Sequence, residues 1–191
     1  MSLLLVGLFL FLGIHLTGAF GMRETMVERT GGEGPWKGLY SLVSLVGLVC
    51  ITMGYAEARA APSVLWVPPV WTRHLALTLM LPVFPMLFAA YLPGRIQSTL
   101  KHPMLVATKT WALAHLLANG MLHDVLLFGG FLAWAVIVRI SLGRREPRDI
   151  PMAPPSGMND VIAVVGGLML YGATLMKVHL WLFGVPPLAM G

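Results

Sequence analysis

Two stretches of this chain, Gly38–Ala56 and Leu75–Pro93, contain no charged residue at all. Spanning the hydrocarbon core of a bilayer takes about 20 helical residues, and several segments of the chain meet that length. Soluble domains are about a quarter charged. Here 57% of residues are hydrophobic and 11% charged, which is membrane composition. The sequence therefore predicts an all-α fold: a polytopic transmembrane helical bundle of about six spans, forming one domain over residues 1–191.

The expected spans are Leu3–Gly21, Trp36–Ala56, Trp71–Leu92, Pro103–Asn119, Met121–Ile140 and Asp160–Phe183. "NGMLHD" leaves only a tight turn between the fourth and fifth, so those two are expected to form a slightly shallow hairpin. The third span holds Pro82 and Pro85 in "LPVFP". Proline removes a donor and clashes with the preceding turn. A kink is expected there, with neighbouring helices satisfying the freed carbonyls. "GRREPRDIPMAPPSG" reads as an exposed, irregular link between spans five and six.

The first apolar run is followed by Arg23 and Arg29, the reverse of a secretory signal with its charge in front. It reads as a retained helix with its N-terminus outside. Three loops then fall inside, carrying Arg23, Arg29, Lys37, Arg95, Lys101, Arg139, Arg144, Arg145 and Arg148. The outer loops carry only Arg59 and Arg73. Nine basic residues inside against two outside predict periplasmic termini in a multi-pass protein of the bacterial inner membrane. The net charge of +5 therefore marks cytoplasmic loops and not a nucleic-acid partner.

The single cysteine, Cys50, excludes an internal disulfide, and no zinc-ligand spacing is present. Nucleophile-elbow, HExxH and P-loop patterns are absent, and the eight acids fall nearly all in loops or at span ends. The thirteen methionines read as flexible apolar filler, although Met is also a haem ligand type.

Histidine remains. An ionisable residue within a membrane helix is costly and marks a candidate site. His15, His115 and His179 fall inside spans; His74, His102 and His123 fall at span ends or loop edges, where an interfacial, structural role is expected. His15, in "GIHLTGAFG", has Gly18 and Ala19 at i+3 and i+4, small neighbours that suit tight helix packing or a flat ligand. His115, in "WALAHLLANG", shares its face with Trp111, Ala112 and Asn119. Lys109 lies about 120° away round that helix. It either snorkels to the cytoplasmic face or pairs with an anionic ligand group, and snorkelling is the expected behaviour. His179 sits beside Trp181 in an interfacial anchor and reads as structural.

Two histidines on different helices, each beside small residues, match haem iron, which takes an axial imidazole from each side. Their expected depths differ by about 9 Å, a gap that tilt or a kink has to absorb. Arg23, Arg95, Lys101 and Lys109 are the cations available to propionates pointing inward.

"GIHLTGAFGMRE" and "KHPMLVATKTWALAHLLANG", in this order and followed by the closing "HLWLFGV", resemble the NnrU family of membrane proteins over most of the chain. The resemblance implies a link to bacterial denitrification and nitric oxide metabolism. The family also includes 15-cis-zeta-carotene isomerase, a haem b membrane protein that isomerises a carotenoid double bond. By motif, its two haem-ligating histidines fall on His15 and His115. A cysteine proposed there as an alternative iron ligand is replaced by Ala112, so ligand switching at that position is not available. The HP pair also resembles isoprenylcysteine-type methyltransferases, but their later acidic and aromatic segment is missing after "GRREPRD".

The expectation is thus a haem b-binding membrane protein with His15 and His115 as iron ligands, tied to nitric oxide or nitrite metabolism. One alternative is a haem-dependent cis-trans isomerase of a carotenoid-like polyene; another is a cofactor-free assembly factor for respiratory nitrogen-oxide reductases. The partners implied are the lipid bilayer and either a small lipophilic substrate or such a reductase.

Overall fold

In the computed structural model, which describes residues 1–144 and 152–188, the chain is helical and, among those residues, its one β contact is an isolated Val64–Met121 bridge. The helices are α1 Ser2–Leu16, α2 Arg23–Arg29, α3 Glu33–Ala60, α4 Val70–Met80, α5 Val83–Ala89, α6 Arg95–Leu100, α7 Pro103–Ala118, α8 Leu122–Leu142 and α9 Met158–Ala173. A π-helical turn, Thr174–Val178, continues α9 into α10, His179–Phe183. Among the described residues, four stretches are long and apolar enough to cross a membrane: Glu33–Ala60, Val70–Ala89, Leu122–Leu142 and Met158–Phe183. Of the six expected spans, the first is a shorter apolar helix of 15 residues and the fourth a helix of 16. Two basic loops contain short helices, α2 and α6, that the sequence had suggested only as connections. The middle of the proline-rich link, including Arg145 and Arg148, lies outside the described residues.

The chain forms two compact units. The first comprises Met1–Thr72 and His115–Pro147; its core is α1, α3 and α8. α1 and α3 run antiparallel at glycine-limited distance. A Cβ on Gly54 would strike the Leu4 backbone, one on Gly7 would lie 2.5 Å from Ile51 N, and one on Gly47 would lie 2.8 Å from Phe11 N. Lipid offers no hydrophobic drive between helices, so such small residues set how closely backbones pack. Leu4, Leu8 and Ile51 fill the seam, and Leu126, Leu127 and Phe131 of α8 close over it.

Regular bonding in α1 ends at Leu16, where Thr17 N–H turns back to the Ile14 carbonyl (3.3 Å). The chain winds on to Phe20 and closes with Met22 N–H on Thr17 O (2.9 Å) and Gly21 N–H on Gly18 O (3.4 Å). This is a Schellman closure, with Gly21 at φ +69 supplying its left-handed residue. The expected end of the first span at Gly21 thus coincides with the end of the helical turns. Beyond them, the paired contacts of Arg23 with Glu33 (2.6 Å) join α2 to the start of α3.

The second unit comprises Arg73–Ala114 and Arg148–Gly191, with α5 antiparallel to α9. Pro82 breaks the third span as expected: α4 stops at Met80, and Leu81 N–H retreats to Thr78 O (3.3 Å). That leaves the Leu77 carbonyl without its helical donor. Tyr171 on α9 donates its hydroxyl to it at 2.8 Å. Pro85 packs against Gly167, where any side chain would collide with the proline ring. Val83, Met86 and Ala107 form the core, with Trp111 packed on it. At the far end of α9, Asp160 accepts from Arg95 N–H (2.8 Å) and Ile96 N–H (3.0 Å), while buried Asn159 donates to the carbonyls of Pro93 (2.8 Å) and Pro154 (3.0 Å).

Two variants test these seams. Gly54→Leu is expected to destabilise the protein by about 2–3 kcal/mol through overpacking. Gly38→Ala, at a helical glycine open to space, serves as its control and is expected to hold or raise the midpoint, because Ala favours helix over Gly. Thermal unfolding in detergent reads both, and equal midpoints would contradict the α1–α3 contact. Tyr171→Phe is expected to cost about 1 kcal/mol, the scale of a hydrogen bond inside a membrane protein.

Candidate functional site

His15 lies on the last regular turn of α1, in the first unit. Its Nδ1 is 2.6 Å from the Phe11 carbonyl. A carbonyl has no proton to give, so Nδ1–H is the donor and Nε2 carries the lone pair. Among the described residues Nε2 has no hydrogen-bond partner. This is the arrangement that fixes an imidazole for metal ligation, one nitrogen anchored and the other presented.

Three rings surround it. Phe11 stacks on the imidazole at 4.3 Å, Tyr40 of α3 lies at 5.1 Å, and Trp134 of α8 meets it edge-on at 6.2 Å. The Trp134 indole N–H is buried and has no partner among the described residues. Such a group is costly to leave unpaired and suits an acceptor on a bound molecule. Gly18 and Ala19 follow in the closing turns; the Ala19 carbonyl accepts from the Ser141 hydroxyl of α8 (2.8 Å). Arg23, one of the candidate propionate partners, is held by Glu33.

His115 also belongs to the first unit. It stacks on buried Phe128 of α8 at 4.5 Å. Asn119 turns back on it as the i+4 spacing predicts, with both its backbone N–H and its side-chain amide on the His115 carbonyl at 2.9 Å. The helix opens at His102-Pro103 as read from the sequence, with Pro103 at its first position. The remaining candidates on α7 serve the second unit: Trp111 packs in its core, Ala112 is fully buried and Lys109 is half-buried. His179 is tied to its own chain end, donating from Nδ1 to the Val185 carbonyl (2.7 Å), in keeping with a structural role. His74 is exposed near the start of α4.

The chain matches the family model described as "NnrU protein" over residues 3–187. It belongs to the NnrU family. No curated protein and no solved structure matches it.

For this NnrU protein, haem ligation is a question of donors and of level. Of the groups an iron would need, His15 presents one lone pair on a fixed ring; the Trp134 N–H beside it can donate to a bound acceptor but cannot ligate. The levels differ. His15 meets α8 at Trp134 and His115 meets it at Phe128, six residues or about 9 Å of rise apart. That equals the depth gap expected from the sequence.

The structure also shows a cluster that the sequence reading had placed at a loop edge. His123 and Asp124, in the first turn of α8, are each only 3% exposed. Tyr55 of α3 donates to Asp124 Oδ1 at 2.6 Å, and its ring meets the His123 ring edge-on at 5.0 Å. The sequence signal was an adjacent His-Asp pair opening an apolar helix; its partner Tyr55 lies 69 residues away and carries no local mark.

Trp134→Phe removes the unpaired N–H and keeps most of the ring packing. Without a ligand it is expected to be neutral or stabilising by up to about 1 kcal/mol. A clear loss of unfolding midpoint would show that the N–H has a partner in the folded protein.

Proposed function

We propose that this NnrU-family protein holds a haem b in its first unit, with His15 as the anchoring ligand and His115 as the second. The observation that carries this reading is the pinned imidazole of His15, its Nε2 presented within an aromatic box beside a buried, unpaired Trp134 N–H. Bound haem iron supplies electron transfer or ligation of a diatomic molecule, as the surrounding pocket dictates. The chain's own part is to hold the imidazole tautomer through Phe11, to exclude water with Phe11, Tyr40 and Phe128, and to offer one N–H donor. The family resemblance makes nitric oxide or nitrite metabolism the setting, with a respiratory nitrogen-oxide reductase as the partner class. Polyene isomerisation ranks second, because Ala112 has no thiol to exchange onto iron.

The proposed membrane arrangement has six crossings with both termini in the periplasm. Its support is the excess of basic residues in the three inner loops. The turns after Leu16 help α1: Ser2 to Phe20 rises about 28 Å if wound as helix, close to the core thickness. α7 rises about 24 Å and suits a locally thinned bilayer. A reporter that matures only in the periplasm, fused to the C-terminus, is expected to be active; an inactive reporter on a stable fusion would overturn the orientation.

Absorption spectroscopy of the purified protein tests the cofactor. A Soret band is expected after expression with adequate haem. His15→Ala is expected to lose it, and His115→Ala to keep haem but change its spin state. A protein without the band, or two variants with wild-type spectra, would end the proposal.

A further inference from the structure

We infer that Asp124 and His123 form a second site in the first unit, an oriented base that takes a proton or a hydrogen bond from a small protic ligand at His123 Nδ1. The inference is independent of haem binding by His15 and His115.

The argument starts from Asp124. Its two oxygens are engaged by different groups: Oδ1 accepts from the Tyr55 hydroxyl at 2.6 Å, and Oδ2 accepts from Met121 N–H at 3.3 Å. Asp124 is the third residue of α8, at the helix end whose first N–H groups lack partners within the helix. Its side chain is thus fixed in place although it is almost wholly buried. His123 Nε2 lies 3.7 Å from Oδ1, too long for a direct hydrogen bond and short enough for a charge to orient the ring. An N–H at Nε2 faces an anion favourably; a lone pair there would face it unfavourably. The preferred neutral tautomer therefore carries its proton on Nε2 and leaves Nδ1 bare.

Nδ1 is buried and has no partner among the described residues. In a histidine–aspartate catalytic pair the carboxylate hydrogen-bonds one imidazole nitrogen and the other acts as base; here the carboxylate faces Nε2 without bonding it, and Nδ1 is the nitrogen left without a partner. Next to the pair in sequence, the start of α8 is tied to residues 63–66. Leu122 N–H donates to the Ser63 carbonyl (2.9 Å), and the N–H groups of Leu65 and Trp66 donate to Gly120 O (2.9 and 3.2 Å).

The charged and titratable groups on the packed elements are few. α3 contributes Tyr55, Arg59, which acts on Tyr55 electrostatically, and Glu57. α1 contributes the Met1 amine, 3.9 Å from Glu57. α8 contributes Asp124 itself. On proton uptake, the Nδ1 lone pair forms the new N–H bond, and the protic ligand or water that gives the proton is left as its conjugate base beside the ring.

The test uses full-length protein, ¹⁵N-labelled at histidine, in lipid nanodiscs, with the His123 signals assigned through His123→Gln. Neutral His123 is expected to show a protonated Nε2 and a bare Nδ1. Asp124→Asn is expected to mix the tautomers, because an amide offers Nε2 no fixed acceptor. Tyr55→Phe keeps the charge while removing a donor, and is expected to retain the wild-type tautomer should the Asn variant fold poorly. A neutral ring protonated at Nδ1, or an Asp124→Asn protein that keeps the wild-type tautomer, would overturn the inference. So would a mixed tautomer in Tyr55→Phe.

Discussion

The first unit depends on how closely α1 and α3 approach. Gly54 under Leu4, Gly7 under Ile51 and Gly47 under Phe11 let two backbones meet where side chains would keep them apart. In lipid that contact is made by van der Waals fit and not by exclusion of water. Its register carries the chemistry. With Phe11 seated on Gly47, His15 one turn later lies beside Tyr40, and α8 closes the third side with Phe131 on Phe11 and Trp134 on His15. At the other end, the same α3 brings Tyr55 to Asp124. Both sites in this unit are thus set by one helix pair.

Much of this was legible in the sequence because lipid imposes simple rules. Charge-free runs gave helices, Pro82 gave the break, and His102-Pro103 and Asn119-Gly120 bounded α7. His15 and His115 stood out because imidazole inside an apolar run needs a reason. The two loop helices, α2 and α6, were not legible. α6 depends on Asp160, 65 residues from Arg95, which satisfies the first N–H groups of a six-residue helix. The sequence showed a basic loop and gave no sign of that distant acceptor.

The histidines show the same limit from the other side. Spacing along a helix identified the neighbours of His115 on its own helix but not which unit they serve: Asn119 bonds the His115 carbonyl, whereas Trp111 packs with Val83 and Met86. Trp134 carried no signal, since an indole in a membrane helix is ordinary until its N–H proves unpaired. His123 was read by its position at a loop edge, and position alone cannot report that its side chain is buried. In each case local pattern located the residue and long-range packing decided its environment.

The hydroxyl of Tyr171 on the Leu77 carbonyl has a further consequence. A proline break in a lipid-facing helix is ordinarily a soft joint, because the orphaned carbonyl can exchange partners as the two halves swing. Here the joint is latched by a single donor from another helix, close to where Pro85 rests on Gly167. Swinging α4 against α5 means breaking that latch in surroundings with no water to replace it. The break is thus a fixed elbow, and the stiffness of the second unit resides in one phenol.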